Sequence, residues 1–220
     1  MTKRILFLIC IFTSISAIGQ TRGPGARIFL LQSNRITKDT IYTRVKNDLN
    51  FIKPTRYDTI ADIGSYDGYY PCMYSIFSDS VIFYLNDITT EGFTRIDSMK
   101  MLCSIKRGSD LTNKFIVVIG NDSCTNLPNH LFNKVILRDA LHHFNSIDKM
   151  LYDIKRTMKP NAHLILFETI KNNDKLNPNL CKGALTKGEL LKLMSKNKFK
   201  LKNELELPND NYWFDFVVSE

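Results

Sequence analysis

The sequence predicts an α/β fold: a doubly wound, mostly parallel, seven-stranded sheet with an antiparallel hairpin at its C-terminus. Three observations support this prediction. Short apolar runs alternate along the chain with stretches of helical spacing, which is the order of a parallel sheet with crossover helices. The runs are apolar at nearly every position, as expected of strands buried on both faces. Only residues 207–211 separate the last two runs, and this turn is too short for a crossover between parallel strands.

The strand predictions rest on runs of β-branched, aromatic and other apolar residues. Several of these runs close on Gly, Asn, Asp or Glu, which are typical of the point where a buried strand gives way to a loop. The predicted strands are residues 59–63, 81–85, 115–119, 134–137, 163–167, 199–207 and 212–218.

The helix predictions rest on apolar residues that recur at steps of about three to four residues. The predicted helices are residues 36–52, 69–77, 90–105 and 147–158, and one more helix begins after Thr186. Pro54 and Pro160 end two of them. Thr186 and Glu189 form a capping-box pattern at the start of the last helix. The polar stretch 172–181 predicts a loop over one edge of the sheet.

Composition indicates an ordinary globular chain. It has 220 residues, 44% of them hydrophobic and 24% charged, which suits one domain with a full core. The formal net charge is +8, but apart from a concentration at residues 187–202 the Lys and Arg residues are scattered, so a solvated surface explains them better than a nucleic-acid site. We therefore expect no nucleic-acid partner.

The first residues have the three-part layout of a secretory signal peptide. Lys3 and Arg4 precede an apolar run at residues 5–12, and Ala17 and Gly19 are small residues before a cleavage point. We predict a signal peptide at residues 1–19 and a folded domain at residues 20–220. The protein is then exported, or anchored to the membrane by an uncleaved N-terminal segment, since the run is short of the roughly 20 residues of a bilayer-spanning helix.

Four cysteines follow the predicted signal: Cys72, Cys103, Cys124 and Cys181. An even count in an exported protein permits two disulfides in three connectivities. No CxxC pair is present, which gives zinc little support. We expect free, buried cysteines that act as small apolar residues.

Acidic side chains and a glycine turn follow successive predicted strands. The first strand runs into Asp62–Gly68, the second ends at Asp87, the third ends near Asp122, and the fourth runs into residues 138–144. Ligands of open parallel sheets bind outside the carboxyl ends of the strands, so these groups are expected to meet at one edge. Glycine lets backbone approach a ligand closely, and carboxylates accept hydrogen bonds from ribose hydroxyls or an amino group.

These motifs resemble those of the class I, Rossmann-like S-adenosylmethionine-dependent methyltransferases, particularly the small-molecule type with His-His-Phe after the fourth strand. Residues 62–68 align with the family motif Asp-x-Gly-x-Gly-x-Gly, and residues 120–122 resemble its Gly-Asp pair with one residue inserted. Residues 158–162 correspond to Leu-Lys-Pro-Gly-Gly, and residues 185–190 match Leu-Thr-Lys-x-Glu-Leu. The resemblance covers roughly residues 41–218 and rests on the order of the motifs.

The resemblance implies S-adenosylmethionine as cofactor and assigns roles by position. Asp87 would accept the ribose hydroxyls, and Asp122 would lie near the adenine amino group. The implied cofactor contacts are Asp62, Gly64, Tyr66, Gly68, Asp87 and Asp122. The residues expected to face the sulfonium and the acceptor are Arg138, Asp139 and His142.

One departure from the family motif stands at its middle glycine, which is Tyr66 here. Tyrosine is disfavoured at positive φ, and its ring is expected to crowd the cofactor. His142, His143 and Asp139 are the candidate bases for an acceptor that must lose a proton. Adjacent histidines at a strand end are expected to point to opposite sides, so we predict no metal site.

Three functions remain open at this point. The first is a methyltransferase acting on a small-molecule acceptor. The second is a catalytically inactive, exported binding module, since S-adenosylmethionine is made in the cytosol and Tyr66 replaces a glycine. The third, a nicotinamide-dependent oxidoreductase, ranks last because the glycine turn lacks the G-x-G-x-x-G spacing.

Overall fold

The computed structural model describes residues 24–172, 180–181 and 183–219. The predicted signal peptide, residues 1–19, and most of the predicted loop 172–181 lie outside the described residues. Among the helices that the structure describes, none is long and apolar enough to cross a bilayer.

The structure is a seven-stranded sheet between two layers of helices. The strands are β1 (Thr59–Ile63), β2 (Ile82–Asp87), β3 (Lys114–Ile119), β4 (Phe132–Arg138), β5 (Met158–Thr169), β6 (Phe199–Leu207) and β7 (Asn211–Val218). The helices are α1 (Pro24–Gln32), α2 (Lys38–Ile52), α3 (Tyr69–Ser75), α4 (Ile96–Arg107), α5 (Ile147–Thr157) and α6 (Lys187–Lys196).

The strand order confirms the predicted doubly wound sheet. The order is β3-β2-β1-β4-β5-β7-β6, and strands β1 to β5 are parallel to one another. Strand β7 lies between β5 and β6 and is antiparallel to both, as predicted for the C-terminal hairpin. The strand order reverses between β1 and β4, so a crevice opens where their carboxyl ends diverge.

Two apolar cores cover the two faces of the sheet, because successive strand residues point to opposite faces. Ile60 and Ile136 point to the core shared with α1 to α4. Ala61 and Leu137, one position further along the same strands, point to the core shared with α5 and α6. This alternation decides which residues at the strand ends reach the crevice.

Three elements differ from the prediction. Helix α1 was not predicted. The predicted helix 90–105 is divided into a 3₁₀ turn at Glu91–Arg95 and helix α4. Strand β5 begins at Met158 rather than at residue 163, because Met158 pairs with Phe132 of β4 across a register shift.

Candidate functional site

The turn after β1 brings backbone to the crevice. Gly64 has a φ of 73°, and a β-carbon added to it would lie 2.7 Å from the Ala140 Cβ. The Gly64 and Ser65 N–H groups both donate to the Asn86 carbonyl oxygen, at 2.9 and 3.0 Å. Only glycine fits this close approach, so the turn presents bare backbone at the position that the family motif predicts.

Asp62 lies beneath this turn rather than in the crevice. Its side chain is buried, and Oδ2 accepts a hydrogen bond from the Ser65 hydroxyl at 2.6 Å. Burial raises the pKa of Asp62 to about 6, and the Ser65 hydrogen bond and the nearby Arg138 charge oppose the shift. The carboxyl group therefore holds the turn through Ser65 and does not line the crevice.

Tyr66 occupies the left-handed region, with a φ of 55°. Its N–H donates to Asp87 Oδ2 at 2.8 Å, which ties the β1 turn to the end of β2. Tyr66 is 41% exposed, and the Arg27 guanidinium lies 5.6 Å from the centroid of its ring. The ring is not among the residues that line the crevice. Tyr66 thus adopts the positive φ that was expected to be unfavourable for tyrosine, and its ring lies outside the lining of the crevice that it was expected to crowd.

Gly68, with a φ of 73°, precedes the first residue of α3. A β-carbon there would lie 2.8 Å from both Ile96 Cδ1 and Leu85 Cδ1. Gly68 packs between α4 and β2, away from the crevice. Its role is therefore to fix the geometry of the turn that leads into α3.

Asp87 ends β2 and faces the crevice together with Ile88. Its Oδ1 accepts the Ile88 N–H at 2.8 Å, and its Oδ2 accepts the Tyr66 N–H. A carboxylate offers about four lone-pair positions, so two of them remain for a ligand.

Asp122 stands at the tip of a tight turn after β3. Asn121 Oδ1 accepts the N–H groups of Ser123 and Cys124, both at 2.9 Å, and the Asn121 N–H donates to the Cys124 carbonyl oxygen. The turn holds Asp122 exposed at the rim of the crevice.

Two adjoining cavities form at the carboxyl ends of the strands. The first, here called the main cleft, has a volume of about 240 Å³. The second, here called the side cavity, has a volume of about 370 Å³. The main cleft is lined by Gly64, Asn86, Asp87, Ile88, Asn121, Asp122, Asp139, Ala140, His143, Phe144 and others. The side cavity is lined by Arg27, Asp139, His142, His143, Thr169, Leu180, Cys181 and Ala184. Asp139 and His143 line both, so the two cavities adjoin at these residues.

The side chain of Arg138 lies on the opposite face of the sheet from that expected. Strand alternation directs it toward α2, where its guanidinium forms an ion pair with Asp48 and donates to the Tyr74 hydroxyl at 3.2 Å. The guanidinium also stacks 4.0 Å from the Tyr70 ring centroid and 4.7 Å from that of Trp213. Arg138 lines neither cavity, so it is placed to support the sheet rather than to contact an acceptor.

Asp139 has a φ of 50° and is the predicted catalytic residue that lines both cavities. Its N–H donates to the Phe167 carbonyl oxygen at 2.8 Å, which fixes the bend at the end of β4. Desolvation and the nearby Glu168 carboxylate raise the pKa of Asp139. A raised pKa makes this carboxylate a stronger base than an ordinary aspartate.

His142 is oriented by Glu168 at the end of β5. Its Nδ1 lies 2.6 Å from Glu168 Oε2, and Glu168 Oε1 accepts the Leu141 N–H at 3.0 Å. The hydrogen bond to Glu168 raises the pKa of His142 to about 9, against the opposing effect of burial. The carboxylate therefore fixes the ring and keeps a proton on Nδ1.

The two histidine rings lie side by side, contrary to the expectation from the sequence. Residues Leu141–His143 form a 3₁₀ turn, not the end of a strand, and the His142 and His143 ring centroids are 4.1 Å apart. Strand alternation therefore does not separate these two rings, and the prediction of no metal site loses its basis.

The four cysteines are free, but only two of them are buried as expected. Cys72 and Cys103 lie in the core, Cys124 is partly exposed, and Cys181 is exposed beside the side cavity.

Several site residues escaped the sequence analysis. Glu168 and Asn86 lie at the carboxyl ends of β5 and β2, so the rule that found Asp87 could have found both. Arg27 forms an ion pair with the buried Asp67 at 2.8 Å, and Cys181 approaches His142 across a long stretch of sequence. No local pattern predicts these last two contacts.

No family model matches the chain, and no curated protein sequence matches it. Solved structures do match the chain. A SAM-dependent methyltransferase from Aquifex aeolicus superposes with a TM-score of 0.59 at 16% identity, covering 89% of this chain and 98% of that one. A SAM-dependent methyltransferase from Methanosarcina mazei gives 0.59 at 16% identity, covering 79% and 98%. A mitomycin 7-O-methyltransferase gives 0.60 at 12% identity, covering 90% of this chain and 59% of that one.

These similarities establish the fold, and the order of the seven strands agrees with it. The chain therefore has the class I, Rossmann-like fold of the S-adenosylmethionine-dependent methyltransferases.

Proposed function

We propose that the protein is a methyltransferase that transfers a methyl group from S-adenosylmethionine to a small-molecule acceptor. The observation that carries the proposal is the main cleft, in which the Gly64 backbone and the Asp87 carboxylate face one space that the Tyr66 ring does not line. The mitomycin 7-O-methyltransferase, which shares the fold, acts on a small molecule according to its name, and this supports the acceptor class.

The residues of the main cleft fit the adenosine part of the cofactor. Asp87 has free lone pairs for the ribose hydroxyls, and Asp122 stands at the rim for the adenine amino group. The Gly64 backbone lines the main cleft without a β-carbon, for which the neighbouring Ala140 leaves no room. Asp62, Tyr66 and Gly68 would act indirectly, by holding this turn.

Charge also fits. When bound, S-adenosylmethionine supplies an electrophilic methyl group on a positively charged sulfur. Asp87, Asp122 and Asp139 place negative charge around the main cleft, with Glu168 close to Asp139. Carboxylates in a partly enclosed site attract a cationic ligand, and the attraction weakens as salt screens it.

The side cavity is the proposed acceptor site. Methyl transfer depends mainly on holding the acceptor in line and excluding water. Where the acceptor must lose a proton, Asp139 and His143 are the best-placed bases, because each of them lines both cavities. His142, which was also predicted as a base, donates its Nδ1–H to Glu168 and forms part of the wall of the side cavity.

The test is calorimetric titration of the full chain with S-adenosylmethionine and with its demethylated product. We expect binding, and we expect Asp87→Asn to weaken it about 10- to 100-fold, the cost of losing hydrogen bonds to a charged acceptor. Asp97→Asn is the matched control, because Asp97 is an exposed α4 carboxylate and lies outside both cavities. Its affinity should equal that of the unaltered protein.

Absence of binding at about millimolar cofactor would contradict the proposal. Binding that appears only in Tyr66→Gly would favour the alternative of an inactive, exported binding module. Methylation of a panel of small hydroxyl, amine and thiol acceptors then separates an enzyme from a protein that only binds the cofactor.

A further inference from the structure

Three metal-ligand side chains meet at the side cavity. One nitrogen of His142, one nitrogen of His143 and the Cys181 sulfur all lie within 4.8 Å of one another. The two histidines come from the 3₁₀ turn after β4, and Cys181 comes from the segment before α6. Imidazole nitrogen and thiolate sulfur are the ligands that Zn²⁺ prefers.

The His142 ring is aimed into this cluster by its partner on the other side. The bond between Nδ1 and Glu168 Oε2 leaves Nε2 as the nitrogen available to the cluster, and Nε2 binds a metal ion when its proton is released. The side chain is only 6% exposed, and within the described residues Nε2 is a buried nitrogen without a hydrogen-bond partner. A buried ring nitrogen left without a partner is costly, and a metal ion that replaces its proton would satisfy it.

Glu168 supplies the support that metal-binding histidines usually have. A carboxylate that accepts the second ring N–H fixes the tautomer and raises the basicity of the ligating nitrogen. Glu168 is itself held, because its Oε1 accepts the Leu141 N–H at 3.0 Å. The arrangement is a carboxylate, a histidine and then an unpartnered ring nitrogen near a second histidine and a thiol.

We propose that His142, His143 and Cys181 bind one zinc-class divalent ion, with Glu168 as the residue that positions His142. Three protein ligands leave one position of a tetrahedral site for water or a small ligand, and that position faces the side cavity. This site does not depend on the proposed methyltransferase function, because metal binding is measured without cofactor.

A second arrangement uses fewer of these residues. Cys181, His142 and Glu168 alone could form a thiol activated by an oriented histidine. That chemistry has no use for His143, whose ring lies 4.1 Å from that of His142 and whose nitrogen joins the cluster. The convergence of all three donors favours the metal.

The first experiment is a titration of the full chain, stripped with a chelator and kept reduced, with Co²⁺ and then with Zn²⁺ as competitor. We expect one equivalent of Co²⁺ to bind, with a thiolate-to-cobalt charge-transfer band and the visible spectrum of a tetrahedral site, and Zn²⁺ to bleach both. Cys181→Ser should abolish the charge-transfer band, and His143→Gln should weaken binding at least tenfold. Cys124→Ser is the matched control, since Cys124 is also not fully buried but lies outside the cluster, and it should behave as the unaltered protein.

Glu168→Gln tests the positioning role. We expect about a 10- to 100-fold loss of Zn²⁺ affinity, as for other partners of ligating histidines. Thermal unfolding of the metal-free variant serves as the second readout, because a purely structural role would lower the melting temperature without changing metal affinity.

Two results would overturn the proposal. One is Co²⁺ binding by Cys181→Ser with an unchanged spectrum. The other is rapid alkylation of Cys181 at neutral pH at a rate that Zn²⁺ does not slow, which would identify a reactive thiol in place of a metal ligand. Cys181 is exposed, so replacing it is not expected to prevent folding.

Discussion

The main cleft and the side cavity are built in different ways. The main cleft is held mainly by backbone N–H donors: those of Gly64 and Ser65 bond to the Asn86 carbonyl oxygen, and that of Tyr66 bonds to the Asp87 carboxylate. The side cavity is held by side chains from distant segments, with Glu168 on His142 and Cys181 beside them. A backbone scaffold tolerates a changed side chain such as Tyr66, whereas a side-chain constellation depends on every member.

The largest effect should come from a residue that belongs to neither cavity. Arg138→Met leaves the buried Asp48 carboxylate without its cation, and breaking a buried pair costs about 3–5 kcal/mol. We expect urea unfolding to report this loss while cofactor affinity, measured under native conditions, is unchanged.

The control for this variant is the double replacement Arg138→Met with Asp48→Leu, which removes both charges and should recover much of the stability. If Arg138→Met instead loses cofactor affinity at full stability, Arg138 belongs to the binding site after all.

The next effect tests the backbone of the main cleft. Gly64→Ala combines an unfavourable positive φ with a contact of 2.7 Å to Ala140, so we expect a loss of about 2–4 kcal/mol in unfolding free energy, with loss of cofactor binding. Gly108→Ala separates the two causes, because Gly108 has a φ of 81° but a β-carbon added to it would meet no other atom of the described residues within 4 Å. It should cost about 1 kcal/mol, by strain alone.

Gly188→Ala provides a further control, since Gly188 lies in α6 with open space and no positive φ. This replacement should stabilise the protein by about 0.5–1 kcal/mol. Equal losses in Gly64→Ala and Gly108→Ala would show that the close approach to Ala140 is unimportant.

A pH-dependent effect should come from Asp62 below the turn. Its pKa rises from 3.8 to about 6 on folding, so the folded state binds this proton more tightly than the unfolded state does. The contribution of Asp62 to the free energy of unfolding is therefore complete below about pH 4 and is lost as the pH rises through 6. The total loss is about 3 kcal/mol.

Asp62→Asn removes this titration. Urea unfolding at several pH values should show the stability of Asp62→Asn relative to the unaltered protein increasing from about pH 4 to about pH 7. Asp97→Asn, at an exposed carboxylate, should show no such trend. Parallel stability curves for Asp62→Asn and the unaltered protein would place the Asp62 carboxyl in a water-accessible environment.

The part of this architecture that the sequence could predict is the part encoded locally. Apolar runs predicted all seven strands and the hairpin, and the spacing of Asp62, Gly64 and Asp87 located the main cleft, because each lies at a strand end. Helix α1 was missed, since its short segment lacks a clear pattern. The orientation of Arg138 follows from strand alternation with Leu137, so that error was avoidable.

The side cavity was not predictable in the same way. His142 and His143 were read as strand-end residues with opposed side chains, but the chain turns into a 3₁₀ helix there. The approach of Cys181 to His142 joins two segments by tertiary packing, and no spacing in the sequence encodes it. Residues at successive strand ends can be found by pattern, whereas constellations across loops require the fold.

The most direct test of the central claim is a crystal structure of the full chain grown with the demethylated product of S-adenosylmethionine. We expect the adenosine in the main cleft, with the ribose hydroxyls on Asp87, the adenine near Asp122 and the Tyr66 ring still beside Arg27. A ligand bound elsewhere, or a main cleft closed by the Tyr66 ring, would contradict the account.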